Sequence, residues 1–127
     1  TLVIEAADGL GSGTTISARG LKVFGALAVI GRPMNYPNPF KPSVQPTTIN
    51  YKLSVSADVK FVICDLAGRQ VYNQLFLSGT PGGTAGENEP TWNGRNFNGQ
   101  IVGNGVYVYF ITSGGKVLGS GEISIYE

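Results

Sequence analysis

Gly105-Val106-Tyr107-Val108-Tyr109-Phe110-Ile111-Thr112, then the turn Ser113-Gly114-Gly115-Lys116, then Val117 to Tyr126, decides the fold of this chain. The first eight residues are β-branched or aromatic almost throughout. They form the most apolar strand, and the Gly-Gly pair reverses the chain into a partner strand. Upstream the same grammar repeats. Asn93-Gly94 and Asn98-Gly99 are turn signals, and Thr91-Trp92-Asn93 begins a short strand. Ser78 to Pro90 reads as a glycine-rich loop and Val71 to Leu77 as a strand that returns from the tight turn Ala67-Gly68-Arg69. Val59 to Leu66 carries Val59, Phe61 and Ile63 on one face, and Thr47 to Val55 carries Ile49, Tyr51 and Leu53. The lead-in, Asn35-Tyr36-Pro37-Asn38-Pro39-Phe40-Lys41-Pro42, has prolines that fix φ and favour an extended path, with Tyr36 and Phe40 able to pack inward.

Before it, residues 26–34 read as a short docked connector, and residues 1–25 as a β-hairpin. Its arms are Leu2 to Ala7 and Thr14 to Phe24, with Asp8 to Gly13 as the turn. Alternation with regularly spaced turns makes an all-β antiparallel sandwich, with no helical periodicity to oppose it. The expected divisions are 1–25, 26–34 and 35–127.

The totals exclude several classes. The chain has 127 residues, the size of one domain, and 42% are hydrophobic against 13% charged, so a packed core is expected and a disordered tail is not. The net charge of +1 carries no basic stripe, so nucleic acid is not an expected partner. No apolar run approaches the length of a membrane span. The single cysteine, Cys64, cannot form an internal disulfide and reads as a small buried apolar residue. The start at Thr1, without a signal peptide, reads as a piece processed or excised from something longer.

Chemistry is sparse. There is no histidine, which removes the commonest general base and metal ligand and any Ser-His triad. Only Glu87 and Glu89 are acidic residues close in sequence, and a glycine-rich loop is a poor frame for a hydrolytic carboxylate pair. Asn93 to Gly99 has the spacing of a calcium loop but no carboxylate, and its arginine opposes a cation. The expectation is a protein that is not an enzyme and has no cofactor and no metal.

Five motifs then combine: Asn35-Tyr36-Pro37-Asn38-Pro39-Phe40, Thr48-Ile49-Asn50-Tyr51, Asp65-Leu66-Ala67-Gly68-Arg69, Trp92-Asn93-Gly94-Arg95-Asn96 and Gly105-Val106-Tyr107-Val108-Tyr109. In this order the chain resembles the Ig-like domain of the flagellar hook-capping protein, and equally the C-terminal sorting domains of type IX secretion. The resemblance implies an immunoglobulin-like (fibronectin III-like) antiparallel β-sandwich of about seven strands, with the N-terminal hairpin as an extra. It implies a secreted or bacterial cell-surface setting. Sorting domains of that kind finish with a basic residue, whereas this chain finishes Gly121-Glu122-Ile123-Ser124-Ile125-Tyr126-Glu127. The hairpin resembles the last two strands of a bacterial Ig-like repeat.

The resemblance places Tyr107, Tyr109 and Ile111 inward, which leaves Val106, Val108 and Phe110 outward and apolar, with Val62 and Cys64 beside them. An isolated hairpin is marginally stable, so Leu2, Ile4, Ile16, Leu21 and Val23 are expected to contact something else. The expected partners are neighbouring domains of the same protein or copies of itself, met through β-strand or apolar-face contacts. Three roles follow: a structural module that anchors or joins, a filament subunit assembled by β-strand addition, or a type IX sorting domain.

Overall fold

The computed structural model describes residues 26–127. The expected hairpin, with Leu2, Ile4, Ile16, Leu21 and Val23, lies outside the described residues. Eight strands are present among those described. They are β1 (Val29–Tyr36), β2 (Thr47–Leu53), β3 (Val59–Asp65), β4 (Gln70–Phe76), β5 (Gly86–Asn88), β6 (Thr91–Trp92), β7 (Gly105–Ser113) and β8 (Lys116–Ile125).

They form two antiparallel sheets. One runs β1-β2-β5, with β6 also on β2, and the other β4-β3-β7-β8. Pro90, between β5 and β6, has no N–H for a ladder and divides what would be a single strand. Counted as one, the sandwich has the seven strands expected.

Alternation sets the core. Ile49, Tyr51 and Leu53 of β2 face Val59, Phe61 and Ile63 of β3 and Tyr107, Tyr109 and Ile111 of β7, and all are buried. Ile123 and Ile125 complete the layer from β8. Each such side chain contributes about 1.5–3 kcal/mol by leaving water. The β7–β8 hairpin turns through Gly114 and Gly115, with φ of 59° and 80° between the paired Ser113 and Lys116. That is the two-residue turn whose twist suits a hairpin, and it needs positive φ at both places.

Three expectations are corrected. Residues 29–34 are strand, not connector. Gly31, Arg32 and Pro33 bulge opposite Tyr51, between the pairs Ile30↔Lys52 and Met34↔Asn50, and Leu27 and Val29 pack against the core. The proline segment bends at Pro37 to Pro39 instead of staying extended, with both the Tyr36-Pro37 and Asn38-Pro39 bonds cis. Tyr36, paired with Thr48, falls on the face of β1 opposite to Asn35, which pairs with the buried Ile49, and it is 80% exposed, while Phe40 is buried. The loop 78–90 contains β5. Its Asn88 is buried and accepts the Gly82 and Thr84 N–H groups (2.9 and 3.2 Å) while donating to the Thr84 and Gly86 carbonyls. One satisfied amide thus orders a glycine-rich segment that would otherwise leave polar backbone unpaired at the core's edge.

Candidate functional site

The motif residues gather at one end of the sandwich. Trp92 is buried between Phe40 and Tyr107, with ring centroids 6.0 and 5.9 Å away. Its indole N–H donates to the Arg95 carbonyl at 3.0 Å, which curls the chain after β6. Gly94 sits in that curl at φ 78°, and a Cβ there would fall 2.6 Å from the Pro42 ring. Tyr107 donates to the Gly103 carbonyl (2.7 Å), and burial together with the Asp65 charge raises its pKa. Gly105 opens β7 opposite Ile125. Phe40 exchanges backbone hydrogen bonds with Ser124 and Tyr126, which ties the proline segment to the edge of β8. The Pro37 carbonyl takes the Thr47 hydroxyl at 2.8 Å.

Asp65 organises the turn into β4. One carboxylate oxygen accepts the Ala67 and Arg69 N–H groups (2.9 and 3.0 Å), and the other accepts Arg69 Nε at 3.0 Å. Gly68 donates to the Asp65 carbonyl. The Arg69 backbone hydrogen bond, foremost, holds the Asp65 pKa below its ordinary value. The role of this motif is to shape a turn.

No cluster of three or more metal-ligating side chains occurs among the described residues. Glu87 and Glu89 both lean on the Asn50 side-chain amide (2.9 and 3.4 Å). Cys64 is half-buried, and burial and then the neighbouring Asp65 raise its pKa, the direction opposite to a reactive thiol. Tyr109 carries a buried hydroxyl with no hydrogen-bond partner among the described residues, and burial pushes its pKa up to about 12. It lies beneath a groove of about 510 Å³ between β1 and β8, lined by Arg32, Asn35, Asn38 and Glu122 among others. Gly121 leaves the space that its ring end fills.

The outer face of the second sheet is the distinctive surface. Val106, Val108 and Phe110 alternate with the buried Tyr107, Tyr109 and Ile111 and are half-buried. Val62 stands opposite Phe110 and Cys64 opposite Val108, so five apolar side chains form one stripe over β3 and β7. Ser120, Glu122 and Ser124 border it on β8, and Asn73 and Gln70 on β4. An apolar patch with a polar rim is the form of a contact surface.

No family model and no curated protein matches the sequence. Solved structures do match. PorU from Porphyromonas gingivalis, in its dimeric latent form, is similar at 19% identity with a TM-score of 0.61, over 83% of this chain and 10% of that one. The fold is an immunoglobulin-like β-sandwich. FlgD from Pseudomonas aeruginosa shares it at 19% identity and a TM-score of 0.54, over 77% of this chain and 70% of that one. So does the alkylpurine DNA glycosylase AlkC of Pseudomonas fluorescens, at 16% identity and 0.52, over 80% of this chain and 30% of that one. The immunoglobulin-like sandwich therefore occurs in proteins of unrelated activity, and the role must come from the surface.

Proposed function

We propose that this sandwich is a non-catalytic structural module of an exported bacterial protein, one that anchors it or joins it to neighbouring domains or subunits at the cell surface. The observation that carries the reading is the outer stripe of Val62, Cys64, Val106, Val108 and Phe110 with its polar rim. A sheet face meant only for water would alternate apolar-in and polar-out. Here β7 is apolar on both sides, as a strand covered on both faces is. The five motifs support the same reading, because each serves turns, core or closure. The likeness to FlgD and PorU supplies the fold, and the surface setting follows from the motif resemblance.

The test removes residues 26–127 from the protein that carries them, and separately introduces Val108→Asp. Deletion should lower retention or assembly at the cell surface while export continues. Val108→Asp should do the same with circular dichroism and melting close to wild type. Surface retention that neither change affects would refute the reading.

A further inference from the structure

We propose that β4 is a pairing edge for a second copy of this chain, the two β4 strands running antiparallel about a two-fold axis at Gln74. The proposal deepens the joining reading and rests on it. A sheet edge exposes unpaired N–H and C=O groups that template another strand, and proteins blunt such edges with charge, proline, bulges or covering segments. Among the described residues, three of the four edge positions are blunted. β1 carries the Gly31-Arg32-Pro33 bulge. β5 and β6 are three and two residues long and separated by Glu89 and Pro90, and β5 carries Glu87. β8 carries Lys116 and Glu122, and its last third is covered: Phe40 N–H donates to the Ser124 carbonyl, Asn38 Nδ2 to the Glu122 carbonyl, and Ser124 N–H to Asn38 Oδ1.

Among the described residues, β4 has none of these devices over its regular part. Its sequence, Gln-Val-Tyr-Asn-Gln-Leu-Phe, has no charge, no proline and no glycine. The irregularity in its pairing lies at the Gln70 end, between the pairs Ile63↔Tyr72 and Cys64↔Gln70. Residues 72–76 run in unbroken register with β3, and among the described residues their backbone makes no hydrogen bond outside that ladder. Leu75 is 61% exposed.

The side chains choose the occupant. An antiparallel pair that uses all five regular residues must centre on Gln74. Tyr72 then opposes Phe76 of the second copy, Asn73 opposes Leu75, and Gln74 opposes its own image. Tyr72 and Phe76 form an aromatic cross-strand pair, the kind that stabilises antiparallel ladders. A glutamine amide both gives and takes hydrogen bonds, so it complements itself on a two-fold axis where any charged residue would repel itself. Phe97, exposed and with its ring 6.4 Å from Tyr72, adds apolar surface beside the edge. The result is one continuous eight-stranded sheet.

Sedimentation of the full chain over a wide concentration range tests this. The expected result is a reversible dimer, with Gln74→Lys weakening it on the order of tenfold while circular dichroism, and melting at concentrations low enough for the monomer, stay unchanged. In a Cys64→Ser background, Asn73→Cys, Gln74→Cys and Leu75→Cys set the register. Only Gln74→Cys meets its own image within disulfide reach, so oxidative cross-linking should peak there. A monomer at every concentration, a dimer indifferent to Gln74→Lys, or cross-linking that peaks at another position overturns the proposal. If Val108→Asp abolishes association and Gln74→Lys does not, the β4 edge is refuted while the joining reading stands. Unchanged surface retention after deletion refutes the joining reading itself.

Discussion

Replacing Trp92 with alanine should remove a large part of the stability of this sandwich. A buried tryptophan covers roughly 150–250 Å². At about 25 cal/mol per Å² that is about 4–6 kcal/mol, an upper bound because unfolded chains are partly compact. Large-to-small changes in cores cost about 3–5 kcal/mol, so a loss of about 4 is expected. Domains of this kind hold about 5–15 kcal/mol in total. With a urea dependence of about 2 kcal/mol per M, the midpoint should fall by about 2 M. The loss is concentrated because the indole meets both Phe40 and Tyr107 and also caps the Arg95 carbonyl. Trp92→Phe separates these terms. It keeps a ring in the core and removes the N–H donor, at about 1–2 kcal/mol. Trp92 is the only tryptophan, so wild-type unfolding is followed by its fluorescence and the variants by circular dichroism. A cost for Trp92→Ala below about 1.5 kcal/mol would refute the argument that the indole closes this end of the core.

Three further outcomes follow from local geometry. Gly94→Ala combines positive φ with a collision against Pro42 and should cost about 2 kcal/mol or more, whereas Gly86→Ala, at φ 92° in open space, should cost about 1; equal melting temperatures would remove the collision. Tyr109→Phe deletes a buried hydroxyl that has no partner, so stability should hold or rise by up to about 1 kcal/mol, and a clear loss in a thermal melt would show that the hydroxyl is satisfied. Asp65 has a folded pKa below its ordinary 3.8, so its contribution is complete above that value and is lost as pH falls through the lower one. Asp65→Asn should therefore be less stable than wild type at neutral pH and should flatten the decline below pH 3.8; parallel pH profiles of the two proteins would contradict this.

The parts of the fold legible in the sequence are those decided by local pattern. β7 and β8 were readable because alternation and Gly114-Gly115 fix a hairpin without reference to anything distant. The outward stripe is legible only through the family resemblance, which is what places Tyr107, Tyr109 and Ile111 inward. β1 was hidden because Gly31-Arg32-Pro33 has the composition of a break, and only pairing with β2 turns that break into a bulge inside a strand. The outward place of Tyr36 is hidden for the same reason, since only the pairing Asn35↔Ile49 and Tyr36↔Thr48 says which of the two residues turns inward. β5 was hidden because three residues have no pattern. It exists through Asn88, whose side chain reads as a turn former until its four hydrogen bonds are seen.

Edge status cannot be read from a strand's own residues, because it depends on which strand lies alongside. Gln70 to Phe76 in the middle of a sheet would be unremarked. At the margin of the second sheet the same residues become the long unguarded edge among the described residues. The core takes Val71, Tyr72 and Phe76 but demands nothing of Gln74 and Leu75. Gln74 and Leu75 are exposed, and an exposed lysine at either place would change stability by about 0.5 kcal/mol or less. Guarding the edge would therefore cost folding almost nothing, and the other edges show that this chain has the devices available. Packing accounts for Tyr72 and Phe76, whereas a neutral Gln74 and Leu75 are accounted for by pairing, which is why the effect of Gln74→Lys on association, at unchanged fold, is the measurement that separates the two.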